Sequence, residues 1–208
     1  MAINGQVGYT TNLSDQNGSS VLSFEELGHG SANNYLPNRK GKFLIADINI
    51  TSSVASASIT TGFSQSNILD IDFIAIKPQN DGDELAVRFY ESGVEESAAV
   101  YDRAYRSHDT SNSLGWQHSS NDNEIPLSTN VGNATGEMYS GMMTLFNHNN
   151  SSMYTTSFSK GNVLNSAGTQ VTWYIAGELP QSSQVDGIKL FFSTGNIESG
   201  KIKIYGYA

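Results

Sequence analysis

The stretch 187–208, GIKLFFSTGNIESGKIKIYGYA, restricts the fold more than any other part of the chain. Ile188, Leu190 and Phe192 alternate with Lys189, Phe191 and Ser193. After a turn rich in Gly, Asn and Ser, Ile202 and Ile204 alternate with Lys201, Lys203 and Tyr205. Period-two patterning on both sides of a turn predicts a β-hairpin with one buried face. A lone hairpin is only marginally stable in water, so other sheet must cover Ile188, Leu190, Ile202 and Ile204.

The same signal recurs upstream. Residues 43–51 place Leu44, Ala46, Ile48 and Ile50 on one face, and residues 52–62 read as a strand with a weak core face. Residues 69–78 form the clearest central strand, with Leu69, Ile71, Phe73 and Ala75 on one face and Asp70, Asp72, Ile74 and Ile76 on the other. Gln79-Asn80-Asp81-Gly82-Asp83 supplies turn chemistry before Leu85, Val87 and Phe89 resume, which predicts a second hairpin. Further strands are expected over 99–105, 137–146, 154–158 and 170–176, the last with Val171, Trp173 and Ile175 facing inward. Between Ser107 and Gly136 the pattern dissolves, and a long polar loop is expected.

With about nine to ten strands and no convincing helix, the expected class is all-β. The architecture expected is an antiparallel two-sheet β-sandwich of jelly-roll type. That domain is expected over 37–208. Residues 1–36 are expected to form an arm or irregular first strand suited to attachment, with one helical turn at residues 23–26.

The chain has no cysteine, which removes thiol catalysis, disulfides and zinc–thiolate sites together. Residues 1–30 lack a basic start followed by an apolar run, so no secretory signal is read there. Apolar runs are too short to span a bilayer, so no membrane insertion is expected. A net charge of -9 opposes nucleic-acid binding, and the one basic cluster, Asn38-Arg39-Lys40-Gly41-Lys42, reads as a solvated loop.

Catalytic motifs are weak, and no catalytic residue, metal ligand or cofactor is assigned. Ser107-His108-Asp109 are consecutive, so on extended backbone their side chains diverge instead of converging as a triad. Asp70 and Asp72 share a strand face at a spacing compatible with a glycosidase pair, though a polar strip on a solvated face uses the same residues. Asp81, Asp83, Asn121, Asp122 and Asn123 offer oxygen ligands for calcium, and turns use them equally well. Trp173 reads as core. Trp116, in the polar stretch, either pins its loop or presents a flat face to a sugar ring or partner, and Tyr101 and Tyr105 join it as binding candidates.

The segment Phe191-Phe-Ser-Thr-Gly-Asn-Ile-Glu-Ser-Gly200, followed by Lys-Ile-Lys-Ile-Tyr-Gly206, resembles a recurrent stretch of bacteriophage virion proteins. The 70–76 strand, the Asn80–Asp83 turn, Leu85-Ala-Val-Arg-Phe89 and Val131-Gly-Asn-Ala-Thr-Gly-Glu137 extend the resemblance over most of 65–208. Tail fibres, tail-associated proteins and head accessory (decoration) proteins carry such domains. The resemblance implies a β-sandwich located on the phage particle. Its partners would be capsid or tail proteins and copies of itself, commonly as a trimer, without enzymatic activity. A receptor-binding protein for host surface glycan and a polysaccharide depolymerase using Asp70 and Asp72 are the rival readings.

Overall fold

Alternating strands need partners on both sides, and the chain supplies them in two antiparallel sheets. The structure, a computed structural model, describes residues 41–207. The expected arm over 1–36, its helical turn and most of the basic cluster lie outside the described residues.

Thirteen strands are present among the described residues, more than the nine or ten expected. In order they are β1 (Lys42–Ile50), β2 (Ser56–Ile59), β3 (Ile68–Pro78), β4 (Asp83–Glu91), β5 (Val94–Glu95), β6 (Tyr101–Asp109) and β7 (Leu114–Asp122). They continue as β8 (Ile125–Val131), β9 (Tyr139–Phe146), β10 (Thr155–Leu164), β11 (Gln170–Leu179), β12 (Val185–Phe192) and β13 (Ile197–Tyr207). The larger sheet has eight strands in the order β1-β13-β3-β9-β10-β11-β6-β7. The smaller has β2-β12-β4, with β5 and β8 sharing the far side of β4. Buried side chains of both sheets form one apolar cluster, including Leu69, Ile71 and Phe73 from β3, Leu85, Val87 and Phe89 from β4, and Ile202 and Ile204 from β13.

Neither expected hairpin forms. β12 pairs with β2 and β4, whereas β13 pairs with β3 in the other sheet. Likewise β3 belongs to the large sheet and β4 to the small one. Each turn is therefore an arch from one sheet to the other. Alternation reports which side chains are buried and is silent about the partner strand, so most inward residues match expectation while the pairing does not.

The two arches lie side by side and are stitched together. Gln79 N donates to Asn196 O (2.8 Å), Ser193 N to Glu84 O (3.0 Å) and Asn80 Nδ2 to Thr194 O (3.1 Å). Asp83, 4% exposed, is the centre. Its Oδ1 accepts from Ser193 Oγ (2.9 Å), Thr194 N (3.2 Å) and Glu84 N (2.8 Å). Gly82 has φ +74°, a left-handed conformation glycine adopts without strain, and its N–H reaches Val131 O at 2.9 Å. Asn133 then closes the third side, donating from N to Asp81 Oδ1 and from Nδ2 to Gln79 O.

Other departures have local causes. Ala75 has φ +52° and a bulge interrupts the pairing of β3 with β9, so Ile74 faces outward as expected but Ile76 turns into the core, against the expected phase. Leu44 is exposed because β1 is an edge strand whose inward phase changes between Ile45 and Ala46. The expected loop between Ser107 and Gly136 is instead the end of β6, all of β7 and β8. β7 is an edge strand exposed on both faces, so it needs no apolar alternation. β10 runs beyond 154–158 to Leu164 with Ser157, Ser159 and Gly161 inward, a buried face too small and polar to read as core. Tyr139 fills the space above Gly161, where an added Cβ would collide with its ring.

Two tests follow from this packing. Asp83→Ala leaves buried donors unpaired and is expected to cost about 3 kcal/mol in urea unfolding, against about 1 kcal/mol for Ser193→Ala. His148, fully buried, donates from Nε2 to Phe63 O at 2.9 Å. Burial holds its pKa below the ordinary value, with backbone hydrogen bonds at Phe63 and Ser66 opposing that shift. The unfolded chain therefore takes up the proton first, so stability is intact above roughly pH 6.5 and declines as the pH falls towards the depressed folded value. The melting temperature of His148→Gln should decline less than wild type between pH 7.5 and 5.5.

Candidate functional site

The outer face of the eight-stranded sheet is where chemistry-bearing side chains stand together. Inward residues of these strands are committed to the core, and strict alternation leaves their neighbours on the other face. Cross-strand registry then aligns one row: Trp116 (β7), Arg106 (β6), Tyr174 (β11), Lys160 (β10), Met142 (β9), Asp72 (β3) and Lys203 (β13). Directly opposed residues in such a row touch, and residues two strands apart are separated by roughly 10 Å.

Trp116 is 76% exposed, the highest value among the described large apolar residues. It sits on strand β7, opposite Arg106, and not on a loop. Tyr174, Arg106 and Lys160 are also exposed. Beside the row runs a shallow groove of about 380 Å³, lined by Tyr174, Lys160, Met142, Asn162, Thr172 and Asp72. A second, of about 440 Å³, opens where Ala104 and Ala176 are small, between His118, Thr156, Asp102 and Glu178.

The three expected binding residues are not brought together. Tyr101, on β6, is 0% exposed. Its hydroxyl accepts from Phe89 N (2.9 Å) and donates to Glu96 O (2.9 Å), and burial pushes its pKa up. It is a core tyrosine. Tyr105 faces inward, edge-on to Trp173 with ring centroids 5.0 Å apart, on the opposite side of the sheet from Trp116. Tyr101 and Tyr105 lie on the strand expected over 99–105, whereas Trp116 reads as a loop residue because the polar edge hides β7. Tyr174 and Arg106 were missed, since only register could join them to Trp116.

Most of the other candidates are held in structural contacts. Asp70, 7% exposed, accepts from Thr144 Oγ1 at 2.7 Å and from the Tyr207 hydroxyl. Asp72 stands between Lys203 and Met142 in the row. Asp109 Oδ1 accepts from the backbone N–H groups of Ser111 and Ser113, capping the β6–β7 turn. Of the oxygens considered for calcium, Asp81 and Asp83 bind the arches and Asp122 pairs with Arg103. Among the described residues no group of three or more His, Asp or Glu is gathered as a metal site.

An apolar patch occupies the end of the same face. Ile68 opposes Phe146, and Phe158 stands diagonal to Phe146 on β10. All three are exposed, as is Tyr207 on the neighbouring strand.

Substitution separates the two classes of aromatic residue. Trp116→Ala should change unfolding free energy by less than about 0.5 kcal/mol, because nothing buried is lost. Tyr101→Phe strands the buried Phe89 N–H and should cost about 1–3 kcal/mol in the same measurement. Comparison with family models, characterised proteins and solved structures finds no match for this chain.

Proposed function

We propose that the chain is a non-enzymatic component of a bacteriophage virion, a head decoration or tail-associated protein of jelly-roll type. It holds capsid or tail proteins and further copies of itself through the outer face of the eight-stranded sheet. The observation that carries this reading is the patch of Ile68, Phe146 and Phe158, which stand exposed and adjacent on one sheet. Contiguous apolar side chains exposed in this way mark a contact surface. The likeness to virion proteins supports the particle as the setting. Three of its motif stretches, 80–83, 131–137 and 191–200, meet at the stitched arches. They therefore support a shared scaffold and assign no ligand.

A second reading is a receptor-binding protein for host surface glycan, favoured by the exposed pair Trp116 and Tyr174 on one cross-strand row. A depolymerase has less support, because the Asp70 carboxylate is already bound by Thr144 and Tyr207.

Mass photometry of the purified chain is expected to show a trimer. Phe146→Glu with Phe158→Glu should shift it to monomer while the melting temperature changes little. A wild-type monomer that releases reducing ends from polysaccharide would overturn the assembly reading.

A further inference from the structure

The row beginning at Trp116 carries an unusual charge arrangement. Lys77, Arg88, Arg103, Lys189, Lys201 and Lys203 each lie against a carboxylate. Lys42 has interactions of its own. Among the described residues that leaves Arg106 and Lys160, neither of which has an ion-pair or hydrogen-bond partner. Both stand on this row, directly flanking Tyr174, and Arg106 also flanks Trp116. The nearest carboxylate along the row is Asp72, two strands beyond Lys160. In a chain of net charge -9, the two cations without a partner among the described residues are thus interleaved with two exposed aromatic rings.

We propose that Trp116, Arg106, Tyr174 and Lys160 form a binding ridge for an acidic polysaccharide, one whose sugar rings carry carboxylates. The inference rests on the receptor-binding reading of this face and names its ligand class. The rings of Trp116 and Tyr174 offer flat apolar surface to the C–H faces of sugars, while the cations between them meet the carboxylates. Like members of the row recur every second strand, roughly 10 Å apart, so two aromatic and two cationic contacts alternate along an extended ligand. Single-stranded nucleic acid would also combine rings with negative charge. It bears a phosphate at every residue, and two cations on an acidic protein do not match a continuous phosphate chain.

The test immobilises polygalacturonate, hyaluronate and polysialic acid, with the methyl-esterified form of each, dextran and oligo-dT as comparisons. Binding of the full chain is read by biolayer interferometry at fixed ionic strength. At least one acidic polymer should bind, with its ester at least about tenfold weaker. Trp116→Ala and the double variant Arg106→Gln, Lys160→Gln should each weaken it about tenfold or more with unchanged melting temperatures, and Phe146→Glu should leave it intact. Equal binding to acid and ester, or binding to dextran, overturns the acidic ligand class while leaving glycan recognition standing. Binding to none of the saccharides overturns both. Tighter binding to oligo-dT overturns the proposal in favour of nucleic acid.

Discussion

Two chain reversals cross from one sheet to the other, and a single buried carboxylate joins them. Asp83 Oδ1 gathers the backbone of Thr194 and the hydroxyl of Ser193 while also accepting from Glu84 at the start of its own strand. Burying a carboxylate is costly unless charge-assisted hydrogen bonds compensate it, and here they come from a segment 110 residues away. The stitch places β3 beside β13 and β4 beside β12 at the same end of both sheets. The relative position of the two layers, and hence the inner core, depends on it.

Once the layers are placed, the division of labour between faces follows from the pleat. Leu69, Ile71 and Phe73 point inward, so Asp70 and Asp72 must point outward. The same logic on β10 and β11 leaves Phe158, Lys160 and Tyr174 on the surface while Ser159, Trp173 and Ile175 are buried. The outer face is consequently assembled from residues far apart in sequence. It carries an apolar patch at one end and an aromatic and cationic ridge along the middle.

Burial was largely legible in the residues, whereas partnership was not. Ile188, Leu190, Ile202 and Ile204 alternate and are all buried, yet their strands lie in different sheets. A short turn rich in Gly, Asn and Ser serves a hairpin or an arch equally, and no local pattern distinguishes them. β7 was invisible because an edge strand such as Leu-Gly-Trp-Gln-His-Ser-Ser-Asn-Asp buries too little to need apolar alternation. Ile76 was misplaced because a bulge at Ala75 shifts the phase, and alanine gives no warning of a positive φ. The surface ridge was beyond reach for a deeper reason. It exists only in the lateral register of β7, β6, β11 and β10, which is a property of the sheet and not of any segment.

The placement of β13 between β1 and β3 also bears on how the chain comes together in time. Synthesis proceeds from the amino end, so β3 can pair with β9 well before its other neighbour, β13, is made. β1 and β3 cannot pair through β13 before then, nor can Asp83 find Ser193. Closing such distant contacts is entropically slow and leaves strand edges open meanwhile. The layered body is therefore completed only once residues 197–207 are available to pair. Until then the half-built sheet has bare edges, and neighbouring copies or chaperones have their first opportunity to engage it.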